Sequence, residues 1–256
     1  MLPRLKSFSL EFLCPRFQDH QASEHPPPLT RVVLPKLSFL FFHGDVEDLE
    51  VILSQIETPI LNRSKFRLFN QLVFHTPLLG RFICRKEIFR KAPRARIQVF
   101  CLCVVVRLSE LEETADTLSG REALRLELSC EQFNCQRSAL VQVLNSLLPL
   151  LQNLESLQIE VLHSVWQGEA EAIQFREILH PFTSVKTMTL LGVDTVRLIA
   201  PALQELAVAR ATKVLPPLQG VFLIMAGCQP SGSLKEDIDQ FIATRQLDGH
   251  PVTFHY

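Results

Sequence analysis

An apolar-x-x-apolar-x-apolar phrase recurs along the chain, with Leu37-Leu40-Phe42, Ala123-Leu126-Leu128, Leu154-Leu157-Ile159, Val185-Met188-Leu190 and Leu218-Val221-Leu223 as its clearest copies. The first residues of successive units fall at 5, 37, 61, 92, 123, 154, 185, 218 and 249, so the steps run from 31 to 33 apart from one of 24. A fixed period of this order marks stacked supersecondary units, because one unit alone cannot bury its apolar face. Each phrase predicts a short strand. Leu157, Ile159 and Val161 alternate with Gln158 and Glu160, which gives one apolar face and one wet face. Leu124-Arg-Leu126-Glu-Leu128 and Val185-Lys-Thr-Met188-Thr-Leu190 repeat the pattern.

Helical periodicity fills the intervals. Leu140, Val143, Leu144, Leu147 and Leu148 form one stripe. A second helix is predicted from Asp45, with Asp45 as N-cap and acidic residues in the first turn, where the helix dipole favours them. Ser233-Leu-Lys-Glu236 fits a capping box ahead of Ile238, Phe241 and Ile242. Alternating strand and helix predict an α/β fold: a right-handed solenoid, horseshoe or arc, of about nine irregular β-α units with a parallel sheet on its concave side. Residues 1–256 are read as one degenerate repeat domain, with loop insertions near 20–30 and 110–120. Three units are imperfect: Ser64 replaces an apolar residue, Ala92-Ala95-Ile97 is recognised mainly by its step, and Gly249-Val252-Phe254 reads as a frayed cap.

Composition narrows the function classes. With 47% hydrophobic and 21% charged residues the chain can bury a continuous core. A formal net charge of −1 argues against a protein devoted to nucleic acid. The longest near-apolar run, Ile97 to Leu108, is far shorter than the roughly 20 residues of a membrane span. Seven cysteines without paired spacing suggest a reducing compartment, so a cytoplasmic or nuclear location is expected, with no membrane association.

The repeat length and the imperfect leucine phrases resemble leucine-rich repeats of the long, helix-containing type, without their asparagine ladder. Phe69-Asn-Gln-Leu-Val-Phe-His-Thr-Pro77, His180-Pro-Phe-Thr-Ser-Val-Lys186, Ile199-Ala-Pro-Ala-Leu-Gln-Glu-Leu206, Val214-Leu-Pro-Pro-Leu-Gln219 and Thr244-Arg-Gln-Leu-Asp-Gly-His-Pro-Val252 look more specifically like the C-terminal leucine-rich region of fungal (basidiomycete) F-box-like proteins. That resemblance implies a substrate-recognition role in a ubiquitin ligase. The family's F-box, which docks a Skp-type adaptor, has no counterpart here: the chain opens inside a repeat at Leu2-Pro-Arg-Leu5. Adaptor binding is therefore not expected. Two alternatives stand beside this reading: a scaffolding repeat protein unrelated to ubiquitin, and a truncated paralogue without function.

Candidate chemistry is sparse. Cys101-Leu-Cys103, with Cys84, is the best metal-like group, yet four ligands in paired spacing are lacking, and a buried strand carrying both thiols on one face is the expectation. Cys130 and Cys135 have no histidine pair at ligand spacing. His75, His180 and His250 fall at element boundaries, and no nucleophile elbow or phosphate-binding glycine loop is present. No catalytic residue, cofactor or metal is predicted, and the chain is expected to be no enzyme. One charge cluster stands out: Arg81, Arg85, Lys86, Arg90, Lys91, Arg94 and Arg96, with spacings that suit a helix face. It reads either as a solvated face balanced by Glu110, Glu112, Glu113 and Asp116, or as a docking surface for an acidic partner, centred on Arg81, Arg85, Lys86, Arg90 and Lys91. Phe39, Phe41 and Phe42 are expected to be core on both faces, an exposed Phe41 being the alternative as a partner anchor. Lys6, Arg67, Arg125, Glu127, Gln158, Glu160 and Lys186 are the residues expected on the concave sheet.

Overall fold

The structure, a computed structural model, describes residues 4–12, 31–69, 76–110, 122–129, 133–162, 175, 177–208, 215–225 and 232–256. The elements in chain order begin with β1 (Ser7–Glu11), β2 (Val32–Val33), β3 (Phe39–Gly44), α1 (Val46–Gln55), β4 (Ile56–Glu57) and β5 (Arg63–Leu68). The middle holds α2 (Pro77–Cys84), α3 (Glu87–Arg90), β6 (Arg94–Val99), β7 (Cys103–Ser109), β8 (Glu122–Ser129), α4 (Phe133–Ser146) and α5 (Leu148–Leu151). The last part holds β9 (Ser156–Val161), β10 (Thr187–Leu191), α6 (Val193–Val208), β11 (Gly220–Ile224), α7 (Ser233–Leu247) and β12 (Thr253–His255).

Ten strands form one sheet in the order β1-β3-β5-β8-β7-β6-β9-β10-β11-β12, and β2 pairs β4 separately. All neighbours in the large sheet are parallel except β7, which runs antiparallel to both β6 and β8. The nine repeat phrases all become strands, but not in the monotonic order that a regular repeat array demands. The run from Ile97 to Leu108 is two strands, β6 and β7, joined through Phe100, Cys101 and Leu102. That hairpin, followed by the return into β8, reverses the local order. β8 thus pairs β5, and β6 pairs β9 from the other side. No glycine, proline or asparagine marks the hairpin turn, and this hid it in the sequence.

The strands' apolar faces and the helices share a single core. Leu40, Phe42, Phe66, Leu126, Val106, Ile97, Ile159, Met188 and Val221 are buried in it with Leu49 of α1, Ile83 of α2, Leu140 of α4 and Ile199 of α6. Ser64, the polar intruder in the third phrase, is also buried there, and its hydroxyl has no hydrogen-bond partner. Of the two predicted caps, the first is kept in position and the second shifts. Asp45 occupies the N-cap of α1 but makes no side-chain capping bond. The last helix begins at Ser233 itself, with Gly232 at the N-cap in a left-handed conformation (φ 63°), so the predicted box is shifted by one position. Buried polar side chains tie elements together. Gln136 donates from Nε2 to the Cys101 carbonyl (2.8 Å), fixing α4 to the hairpin turn. The Thr195 hydroxyl oxygen accepts from the Val161 amide (2.8 Å), joining β9 to α6. The predicted insertions near 20–30 and 110–120 lie almost wholly outside the described residues. No helix among those described is long and apolar enough to cross a membrane.

Candidate functional site

The helices pack on one face of the sheet, and the alternate side chains of every strand point to the other. Strand register aligns those side chains into rows. One row crosses the whole sheet: Ser9, Phe41, Lys65, Arg125, Arg107, Arg96, Gln158, Thr189, Phe222 and His255. Its centre is four consecutive cations on β5, β8, β7 and β6. Adjacent strands lie about 4.8 Å apart, and like charges directly opposite each other destabilise a sheet. The neighbouring row supplies the compensation: His43, Arg67, Glu127, Val105, Gln98 and Glu160 on β3, β5, β8, β7, β6 and β9.

The resulting lattice is partly buried. Arg67 Nε and Arg125 Nη2 share Glu127, at 3.1 and 3.2 Å, and Glu127 is only 14% exposed. Glu160 binds Arg96 Nη2 at 2.9 Å and accepts from Gln98 Nε2 at 2.6 Å. Arg107 Nε lies 3.1 Å from Glu122. Four cations of these rows, Arg67, Arg125, Arg96 and Arg107, thus meet three carboxylates, Glu127, Glu160 and Glu122, and Lys65 adds a further positive charge. Lys65 forms no ion pair among the described residues; its ammonium sits 5.5 Å from the centre of the Phe41 ring. Burial, then the Arg125 and Arg67 charges, lower its pKa. Val105, with the parity of this face, is buried all the same at 1% exposure, between Gln98 and Glu127 in register.

Aromatic groups border the cations on the β3 side. Phe39 and Phe41 are partly buried on the open face rather than core on both faces, because β3 alternates strictly and only Leu40 and Phe42 enter the core. Arg63 stands over Phe39 (5.6 Å), and His43 packs against Phe69 (4.6 Å). Of the residues expected on the concave sheet, Arg67, Arg125, Glu127, Gln158 and Glu160 lie on this face. Lys186 pairs with Glu155 just before the strands begin, and Lys6 precedes β1.

The sequence-predicted charge cluster divides. Arg94 and Arg96 are strand residues of β6 on the open face, not helix residues, since their alternation with Ala95 and Ile97 is that of a strand. Arg81 lies on α2, Arg85 is its C-cap, Lys86 is the N-cap of α3, Arg90 ends α3 and Lys91 is its C-cap. Lys91 pairs with Glu87 at 2.6 Å on a fully solvated face. Arg81, Arg85 and Lys86 instead line a cleft of about 260 Å³ between α1–β4 and α2, together with Arg31, Glu57 and Thr58. Its apolar wall is Leu53, Ile56, Leu78 and Phe82. Gly80 allows α2 to approach α4, since a Cβ there would meet the Ser146 carbonyl oxygen at 2.5 Å. Glu50 of α1 accepts from the Leu78 and Leu79 amides (2.8 and 2.7 Å), which caps α2 and sets its distance from α1.

The described thiols are those of Cys84, Cys101 and Cys103. Cys101 lies in the hairpin turn and Cys103 opens β7, so the two do not share a strand face as expected. Burial raises the Cys103 pKa, with Glu127 adding to it, and burial raises that of Cys84. Raised thiol pKa values make poor nucleophiles at neutral pH. Among the described residues no group of three or more His, Cys, Asp or Glu could hold a metal ion. His75 and the side chains of Cys130 and Cys135 lie outside the described residues. Sequence reasoning missed Lys65 and Arg107 as members of the face. Arg107 was readable from the period-2 alternation after Val104, once the apolar run is divided into two strands. Comparison with protein-family models, with curated proteins and with solved structures finds no match to this chain.

Proposed function

We propose that this chain is a non-enzymatic protein-binding repeat domain, a degenerate leucine-rich-repeat-like solenoid that docks a partner on the open face of its sheet. The observation that carries the reading is the row Lys65-Arg125-Arg107-Arg96. Four adjacent strands place like charges side by side; Arg125, Arg107 and Arg96 each pair with a carboxylate, while Lys65 has no ion pair among the described residues, so the row keeps positive charge. An acidic segment laid across the row meets that remaining positive charge, at Lys65 first of all. The partly buried rings of Phe39 and Phe41 supply apolar anchoring beside it. The phrases resembling fungal F-box-like proteins support a finer assignment, in which the docked protein is a substrate presented for ubiquitin transfer.

The test is affinity isolation from the native cell with the natural protein and with a Lys65→Glu/Arg125→Glu variant. The expected result is a discrete partner retained by the first and lost from the second, and carrying ubiquitin. A partner held equally by both removes the open face from the account. A partner that depends on the row but carries no ubiquitin favours the scaffold reading.

A further inference from the structure

The cleft between α1–β4 and α2 lies among the helices, away from the open sheet face, and its charge is one-sided. Arg31, Arg81, Arg85 and Lys86 line it, against the single carboxylate of Glu57. Arg31, Arg81 and Arg85 form no ion pair among the described residues. Basic residues at a helix C-terminus complement its dipole, which accounts for Arg81 and Arg85 being tolerated there. It does not account for Arg31, which reaches the cleft from a different segment, nor for Lys86. The Lys86 ammonium is fixed by donating to the Thr58 carbonyl and by lying 5.1 Å from the centre of the Phe82 ring. That cation is held in place before any ligand arrives. Thr58 itself is completely buried in the lining, and its hydroxyl has no hydrogen-bond partner. The amides at the start of α2 are already taken by Glu50, so an anion here is held by side chains.

The geometry points to a binding site for a small phosphate monoester with an apolar body of about one ring. Guanidinium groups match the several oxygens of a phosphate dianion through paired hydrogen bonds, which makes arginine the preferred residue for such groups. Ile56, Leu78 and Phe82, each partly exposed, offer the apolar body a surface. The volume of about 260 Å³ is near the lower end for ligand pockets, which limits the body's size.

Phenyl phosphate is the direct probe, titrated calorimetrically into the intact chain beside inorganic phosphate and phenol. Saturable one-site binding of phenyl phosphate is expected, with inorganic phosphate about ten-fold weaker and phenol not saturating. Arg81→Gln/Arg85→Gln alters exposed side chains and should keep the fold, as checked by circular dichroism, while weakening phenyl phosphate by about ten-fold or more. Arg90→Gln/Lys91→Gln removes the same charge just outside the lining and should leave the affinity within about two-fold. Absence of saturation, equal weakening in both double variants, or equal affinity for inorganic phosphate and phenyl phosphate overturns the proposal.

Discussion

Ser64 shows how a local departure from the repeat becomes a measurable cost. It sits in the core between Leu40 and Leu124 in register, with an unsatisfied hydroxyl. Removing a buried polar group that has no partner recovers its desolvation penalty, so Ser64→Ala should stabilise the fold by about 1 kcal/mol in denaturant titration. The residue was legible in the sequence as an exception to the phrase. His43 gives a pH signature on the opposite face. Burial first, then the Arg67 charge, hold its pKa below the ordinary 6.5, so the unfolded chain binds the proton more readily than the folded one. Its contribution to stability is intact above pH 6.5 and falls as the pH drops below that value. Thermal melts of His43→Gln between pH 7.5 and about 5.5 should therefore show a smaller loss than the natural protein. The charged row was only half legible at this scale. Arg125, Glu127 and Glu160 alternate cleanly with leucines and isoleucine, whereas Arg96 was drawn into a helical reading by the cations before it.

Elements are held by a few buried polar contacts, and these the sequence conceals because they join residues far apart. Arg245 of α7 is 6% exposed and donates from Nη2 to the carbonyls of Leu215, Pro216 and Leu218 at 3.2–3.4 Å. Those carbonyls belong to the segment that delivers β11, where Leu215 takes a left-handed φ of 52°. Burial lowers the Arg245 pKa, with Asp248 opposing, but a guanidinium stays charged at neutral pH. Arg245→Met keeps the apolar stem and removes the guanidinium donor from the Pro216 and Leu218 carbonyls, while that of Leu215 keeps the Leu218 amide. It should cost about 2 kcal/mol and speed amide exchange at Leu218 to Val221, read by hydrogen exchange. An exposed salt-bridge partner would give no such loss; in the sequence Arg245 is one basic residue on a polar helix.

At the scale of the molecule, the step of about 31 residues correctly located nine strands, since each must bury one apolar face against a helix. The order of β6, β7 and β8 was not legible. Periodicity counts strands but does not say which neighbour each one pairs, and the hairpin carries no turn signal. The consequence is energetic. In a regular array each unit touches only its neighbours and can unfold piecewise. Here Ser64 pairs Leu124 and Arg94 pairs Ser156, contacts some 60 residues apart that interlock the centre. Amides of β5 through β9 should thus exchange together, through global unfolding, and those of β1 and β12 sooner. A smooth gradient of protection along the chain would indicate independent units instead.

The central claim is that partners dock on the open sheet face. It is tested most directly by placing a photo-crosslinking phenylalanine analogue at Phe41 or at Val51, a 54% exposed residue of α1, and irradiating each in native cell extract. The account predicts a discrete crosslinked partner from position 41 and none from position 51. The same partner captured at 51 and not at 41 would contradict it.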